Sequence, residues 1–266
     1  MLDEKISDYF LELASSQRMN ILYSLNQNPS KVSILAKELD ATPPEVHRNF
    51  ERLKKSGLIS KENDGMFHVT SFGKIMLLQV PSMEFIIKNQ KFFKNHGFHN
   101  LPIKFIHRIG QLENSKHIKG FIKVQEKWES IYKNADKYIY NILFEVSYNS
   151  DTMSIILKKT KTGTKIKSIF SESAILPQER KEIINKSIIK KFIKEGVIQR
   201  KMNKDVKVMV VLNEKESCVV FPKTDGEIDV SEMFYSDDGN FHEWCFDYFN
   251  YSWVESNTFQ ENKLKI

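Results

Sequence analysis

The chain has 266 residues, enough for two domains with separate cores, and its 41% hydrophobic and 28% charged residues are ordinary for a protein folded in water. There is no run of eighteen apolar residues, Met1-Leu2-Asp3-Glu4-Lys5 opens without the apolar stretch of a secretory leader, and Cys218 and Cys245 are too few and too distant for a disulfide framework or zinc module. The expectation is therefore a cytoplasmic protein with two buried thiols, no membrane span and no cofactor, whose net charge of +6 is unevenly spread: residues 1–80 carry 10 basic and 10 acidic side chains, 81–136 carry 10 and 5, 137–220 carry 17 and 9, and 221–266 carry 3 and 10.

Residues 3–27 hold two helical patterns, Ile6, Phe10, Leu13 and Ala14, then Met19, Ile21, Leu22 and Leu25, with Ser15 or Ser16 as N-cap of the second. Asn28-Pro29-Ser30 is a loop. Val32, Leu35, Ala36 and Leu39 then recur at helical spacing, and Asp40-Ala41 breaks the pattern. Thr42-Pro43-Pro44-Glu45 restarts it as a capping box, with the Thr42 hydroxyl expected on the Glu45 N–H and the prolines in the first turn, where a missing N–H costs nothing. Val46, Phe50, Leu53 and Leu58 form the apolar face of this helix, and His47, Arg48, Glu51, Arg52, Lys54 and Lys55 the polar one. Gly57 ends it. Leu58–Lys61, an Asp64-Gly65 turn and Met66–Val69 read as a hairpin. Helix, short turn, second helix and two-stranded ribbon make a winged helix-turn-helix, in which the second helix enters a DNA major groove.

The stretch ILAKELDATPPEVHRNFERLKKSGLI, followed by DGMFHVTSFG, resembles the N-terminal winged helix of prokaryotic repressors of the arsenic-repressor and multiple-antibiotic-resistance-repressor type. That resemblance implies duplex DNA as partner, and implies that the helix starting at Ser71, reaching about Asn95 with an interruption near Pro81, makes a homodimer interface. On the recognition helix, arginine pairs bidentately with guanine and asparagine with adenine, so Arg48 and Asn49 are base readers, with Arg52, His47, Thr42 and Glu45 beside them. Lys54, Lys55 and Lys61 suit phosphates, and Asn63 and His68 lie near the hairpin. A winged helix that binds another protein is the competing reading, and the neutral balance of residues 1–80 favours it.

The domains expected are a winged helix over 1–80, a connecting or dimerisation helix over 81–100, an α/β sensor domain over 101–256 and a tail over 257–266. Ile103–Leu112, Ile118–Tyr132, Ser150–Lys161, Pro177–Lys194 and Gly239–Ser256 read as helices; Tyr138–Val146, Lys165–Phe170, Val197–Met202, Val206–Leu212 and Ser217–Phe221 read as strands, the last two as a hairpin across Asn213–Glu216. The fold class is thus an α+β winged helix followed by an α/β layered domain with a largely parallel sheet. Leu101-Pro102, RIGQL, Gly196-Val197, VVFPKTDGEID and MFYSDDGNFHEWCFDYFNYSW resemble the sensor region of an archaeal regulator family that joins an arsenic-repressor-like winged helix to the middle domain of a methanogenesis regulatory protein.

Catalysis finds little support. His117-Ile118-Lys119 has the histidine and lysine of a phospholipase-D-like phosphoryl-transfer site, but Gly120–Val124 supplies no acid and there is no second copy. His242-Glu243 lacks the second histidine of a zinc protease helix. Aromatic residues of the last helix, Trp244 and Tyr248 among them, are mostly core by type; a pocket beside that helix at the strand ends, with Asp225 and Asp229 as polar anchors, is where a small effector is expected.

Overall fold

The computed structural model describes residues 4–145, 150–175, 189–204 and 206–260, and the chain divides into two compact units, Met1–Pro81 and Ser82–Ile266. Among the described residues no helix is long and apolar enough to cross a membrane. The expected helix over 177–194 lies outside the described residues up to 188, as do residues 261–266 of the expected tail.

In the first unit α1 (Glu4–Leu13), α2 (Ser16–Gln27), α3 (Val32–Glu38) and α4 (Pro43–Lys55) precede a ribbon of β1 (Ile59–Lys61) and β2 (Phe67–Val69) and then α5 (Ser71–Leu77). Their apolar faces meet in one core of Ile21, Leu22, Leu25, Leu35, Val46, Phe50, Leu53, Leu58, Phe67, Val69, Leu77 and Val80. Each of these side chains contributes about 1.5–3 kcal/mol by leaving water. The turn between α3 and α4 places Asp40 at φ 48°, a left-handed position that a short polar side chain tolerates. Gly73 in α5 has the tightest surroundings: a Cβ there would stand 2.2 Å from the Leu58 carbonyl oxygen. The hydroxyl of Thr70 accepts from the Gly73 N–H at 3.0 Å and donates to the Gly57 carbonyl at 2.7 Å, so the wing and α5 are tied at their junction.

The second unit is built on an eight-stranded sheet in the order β10-β6-β5-β4-β7-β8-β9-β3. Its strands are β3 (Lys116–Lys119), β4 (Tyr138–Glu145), β5 (Lys165–Ile175), β6 (Ile198–Asn203), β7 (Met209–Leu212), β8 (Ser217–Val220), β9 (Glu232–Ser236) and β10 (Asn257–Thr258). The expectation of parallel pairing holds for the middle of the sheet, where β5 pairs in parallel with both β4 and β6. The pairings outside this block are antiparallel. The reason is the connections: α10 (Ser150–Lys161) carries the chain from β4 across to β5, whereas β7 and β8 are joined by a tight turn. In that turn Asn213 Oδ1 accepts from the N–H groups of Lys215 (2.7 Å) and Glu216 (2.9 Å).

Helices α6 (Val80–Lys88), α7 (Gln90–Phe93), α8 (Ile103–His107), α9 (Phe121–Asn134), α11 (Ile189–Lys194) and α12 (Gly239–Val254) complete the described fold. The interruption expected near Pro81 falls at Leu78–Gln79, just before α6, and Phe85 and Phe92 of the following segment enter the core of the second unit. The helix expected over Ile118–Tyr132 begins later. Residues 116–119 are instead a strand paired with β9, and Gly120, at φ 102°, turns the chain into α9. The long helix expected over Ile103–Leu112 is α8 followed by a single 3-10 turn at Ile109–Leu112.

Candidate nucleic-acid interface

The start of α4 falls at the prolines, as expected, but the cap differs. Thr42 is the N-cap and makes no side-chain cap bond; the Glu45 N–H goes to the Thr42 carbonyl oxygen at 3.1 Å. With Pro43 and Pro44 supplying no N–H in the first turn, fewer orphan donors remain for a hydroxyl to satisfy. Burial of Val46, Phe50 and Leu53 fixes which side of α4 faces inward. Helical geometry then turns Arg48, Glu51 and Lys55 most directly away from the core, with His47, Arg52 and Lys54 flanking them.

Residues on this outer face differ in what they already hold. Among the described residues, His47, Arg48 and Lys55 are exposed and make no hydrogen bond or ion pair. Lys54 lies 4.0 Å from Glu51. Arg52 is committed to α1: its Nη2 is 2.6 Å from Glu12 Oε1, and its Nε reaches both carboxylate oxygens at 3.2 Å. The same carboxylate takes Arg18 Nε at 3.0 Å, and Arg18 also donates to the carbonyls of Leu11 (2.6 Å) and Glu12 (2.9 Å), which closes the C-terminal end of α1. Burial lowers the pKa of Arg18 from its ordinary value, with Glu12 opposing and Arg52 adding to the fall.

Asn49 differs from its exposed neighbours on α4. It is half-buried, donates to Gln17 Oε1 and to the Glu45 carbonyl (3.2 Å), and accepts from Arg18 Nη1 at 3.4 Å. It braces α4 against α2. The ribbon turns at Gly65 (φ 84°), next to an Asp64 carboxylate that accepts from the Met66 N–H at 2.9 Å. His68 is spent within the ribbon, its Nε2 2.8 Å from Ser60 Oγ and its Nδ1 3.1 Å from Glu62. Lys61 stays exposed over the edge of Phe67, with Nζ 5.7 Å from the ring centre, and Asn63 is exposed at the tip. A cleft of about 510 Å³ runs between α3, the start of α4 and the wing, lined by Lys31, Pro44, His47, Glu51, Lys61 and Phe67.

The residues expected at an effector pocket are each engaged within the fold. Trp244 is fully buried and its indole N–H donates to the Phe105 carbonyl at 3.0 Å, so it is core and presents nothing to a ligand. Asp229 is engaged by Ser231, whose N–H is 2.9 Å from Oδ1, and by His96 Nε2 at 3.1 Å from Oδ2. Burial alone would raise the Asp229 pKa, but these bonds outweigh it and hold the group below its ordinary value. Asp225 is exposed and closes its own turn onto the Glu227 N–H at 2.8 Å. Tyr248 borders a cavity of about 200 Å³ with Asn100, Pro102, Asn203, Tyr251 and Glu255.

Across β3 and β9, the acid that sequence reasoning missed beside His117 and Lys119 is Glu232. It lies 2.7 Å from His117 Nε2 and 3.3 Å from Lys119 Nζ, opposite in register rather than near in sequence. Phe234 stacks on the His117 ring, and burial pushes the pKa of the histidine down. His242 is held by the Asn213 carbonyl (2.7 Å) and Tyr138 OH (3.0 Å), and among the described residues no group of metal-ligating side chains gathers. Cys218 and Cys245 are buried free thiols, as expected; burial pushes Cys218 up to about 12 and Cys245 well above its ordinary value, leaving both unreactive at neutral pH.

Comparison with known proteins places the first unit best. No curated protein matches the chain. Of solved structures, TrmBL2, an archaeal chromatin protein described as showing a novel mode of DNA binding, is similar over 90% of this chain and 91% of its own at 12% identity and a TM-score of 0.43. A phospholipase D family member, Nuc from Salmonella typhimurium, is similar over 56% of this chain and 99% of its own (11%, 0.41), and NucT from Helicobacter pylori over 55% and 99% (13%, 0.42). Residues 15–61, from the cap of α2 to the end of β1, match the family model described as bacterial regulatory protein, arsR family.

Proposed function

We propose that the protein is a transcriptional regulator that binds duplex DNA through α4 and the wing. The observation that carries this is the unspent outer face of α4. Among the described residues Arg48, His47 and Lys55 are exposed and without partners, on a helix held rigidly by Val46, Phe50 and Leu53, beside the arsR-family match. Arg48 reads a base, and Lys54, Lys55 and Lys61 neutralise phosphates. Association as a homodimer is supported by exposed apolar residues on neighbouring helices: Ile6 and Phe10 on α1, Phe72 and Ile75 on α5, with Tyr9 packed edge-on to Phe72 at 5.3 Å. Two recognition helices would then meet successive major grooves, on an operator of approximate two-fold symmetry. The second unit is the sensor in this reading, with the cavity beside Tyr248 as the place for a small effector.

The protein–protein adaptor remains the second reading because residues 1–80 carry equal numbers of acidic and basic side chains. Genome-wide occupancy of the tagged protein, followed by a salt titration on a recovered site, separates the two. Arg48→Ala is expected to weaken binding by about 1–3 kcal/mol and to relax base preference at one position. Binding to no DNA site, or a log–log salt slope near zero, would overturn the regulator reading.

A further inference from the structure

In the second unit, α12 covers only part of one face of the sheet. Its Phe246 and Phe249 pack on Tyr140 of β4, at 6.1 and 4.8 Å between ring centres, and it also packs on β7 and β8. Beyond Tyr140 the same face continues over β5 and β6. Lys167 is the register partner of Tyr140 and of Gln199, and Lys201 pairs with Ile169 two residues further along. Because side chains alternate along a strand, Lys165, Lys167, Gln199 and Lys201 share this face, while Ile166, Ser168 and Ile198 point to the other. A sheet face in a layered domain is ordinarily apolar and covered. Here it carries lysines at alternate positions, with Lys165 and Gln199 exposed and Lys167 and Lys201 half-buried.

The two inner lysines are held in place. Lys167 Nζ lies 5.2 Å from the Tyr140 ring centre and 5.3 Å from that of Trp253. Lys201 Nζ lies 5.1 Å from the same Trp253 ring and donates to the Trp253 carbonyl at 2.6 Å. Two ammonium groups thus lie within 5.3 Å of one indole ring centre. Among the described residues, no carboxylate forms an ion pair with Lys165, Lys167 or Lys201. Ordering like charges beside each other without a counter-ion is unfavourable, and an incoming anion relieves it.

We infer that this lysine-bearing face of β5 and β6 is a second, sequence-independent contact for the phosphodiester backbone of duplex DNA. Lys165 and Lys167 are separated by roughly 7 Å along the strand, two residues of extended chain, a spacing comparable to that of successive phosphates on one strand. The cations form a row, from exposed Lys165 to half-buried Lys167 and Lys201, which suits a polymer of phosphates better than a single small anion. Residues 137–220, which supply the row, carry 17 basic side chains against 9 acidic ones. The inference adds to the regulator reading but does not depend on α4 being the base reader.

The test is fluorescence anisotropy of the full chain with a mixed-sequence 30-base-pair duplex, titrated with salt. Four proteins are compared: wild type, Arg48→Ala/Lys55→Ala, Lys165→Gln/Lys167→Gln/Lys201→Gln, and the combination. The α4 double variant should retain salt-dependent binding, and adding the three glutamines should flatten its log–log slope by about 2–3, at about 0.9 for each phosphate no longer neutralised. In the otherwise wild-type protein the triple variant should weaken all duplexes alike and leave base preference unchanged. Loss of all binding in the α4 variant alone overturns the second DNA-binding face while sparing the regulator reading. An unchanged slope in the triple variant overturns it too, as does a change of oligomeric mass in place of DNA affinity, which would mean that the lysines meet the acidic 221–266 region of another copy. No duplex binding by any of the four, wild type included, overturns both readings together. Circular dichroism and a urea midpoint within error of wild type show that the variants are folded.

Discussion

Helices α4 and α12 are both dense in side chains capable of chemistry, yet they use them in opposite ways. On α12 the conspicuous residue types are spent: Trp244 and Tyr248 bond to backbone carbonyls, Phe246 and Phe249 pack on Tyr140, and His242 is held by Asn213 and Tyr138. On α4 the core takes only Val46, Phe50 and Leu53, and among the described residues His47, Arg48 and Lys55 are left with nothing intramolecular to bond. The difference teaches that residue type alone does not mark a site. Aromatic rings gain most by burial, so an aromatic stripe is drawn inward, whereas an arginine on a short rigid helix has no apolar reason to fold back.

The comparison breaks most visibly if Trp244 is removed. Trp244→Ala should destabilise the second unit by about 3–5 kcal/mol, the cost of a large core truncation, read as a lower urea midpoint with unchanged slope. A loss of effector binding at unaltered stability would instead make it a site residue. A finer contrast lies within α4. Asn49→Ala should cost about 1 kcal/mol of stability by unpairing the bridge to Gln17 and Arg18, and should leave base preference intact, the reverse of Arg48→Ala one residue earlier. If Asn49→Ala changed base preference at constant stability, the bracing role would be wrong.

Acid gives the next measurement, and three groups of the second unit contribute to it with the same sign. Burial and Lys119 lower the His117 pKa below 6.5, so the unfolded chain takes up that proton first and folding weakens as pH falls below that value. Glu214 follows at lower pH: burial raises it, but N–H bonds from Asp136, Lys137 and Tyr138 prevail and hold it below 4.5. Asp229, held below 3.8, behaves likewise. Carboxylates with depressed values stabilise the fold above their unfolded pKa and lose that contribution as pH falls through the folded one. A urea midpoint for the second unit that falls from pH 7 to 5.5 and then more steeply below 4.5 is expected. His117→Phe should remove the first step, and its persistence would assign the step elsewhere.

What the sequence disclosed follows the range of the forces involved. Local signals were legible: the prolines that open α4, the Asp64-Gly65 turn, the helix at Ser150–Lys161 and the turn across Asn213–Glu216 all rest on propensities within a few residues. Pairings made across the chain were not. Asn49 looks free until Gln17 and Arg18 are brought beside it, and the acid for His117 comes from a strand more than a hundred residues on. The misread at 118–119 has a local cause, because Ile118-Lys119 runs without a gap into the helical periodicity of α9; Gly120 was the available signal, and it marks the turn between strand and helix. The parallel block was legible in the alternation of strand and helix, and so was the antiparallel β7–β8 hairpin; the remaining antiparallel pairings were hidden because β3, β9 and β10 are short and lack a repeating pattern.

The smallest expected effect concerns Arg52, which stands between the two kinds of residue, more than half exposed yet paired. Exposed ion pairs contribute little to stability because water and salt screen them, so what Glu12 supplies is position: it keeps the guanidinium of Arg52 turned toward α1. Glu12→Gln keeps the size and a hydrogen-bonding oxygen for Arg18 while removing the charge that holds Arg52. If α4 lies along a phosphate backbone, the released arginine gains a phosphate partner, and the log–log salt slope for duplex binding steepens by at most about 0.9. A slope unchanged within error, with the urea midpoint also unchanged, would mean that Arg52 stays out of reach of the backbone, and the DNA-facing strip of α4 would narrow to His47, Arg48, Glu51 and the two lysines at its end.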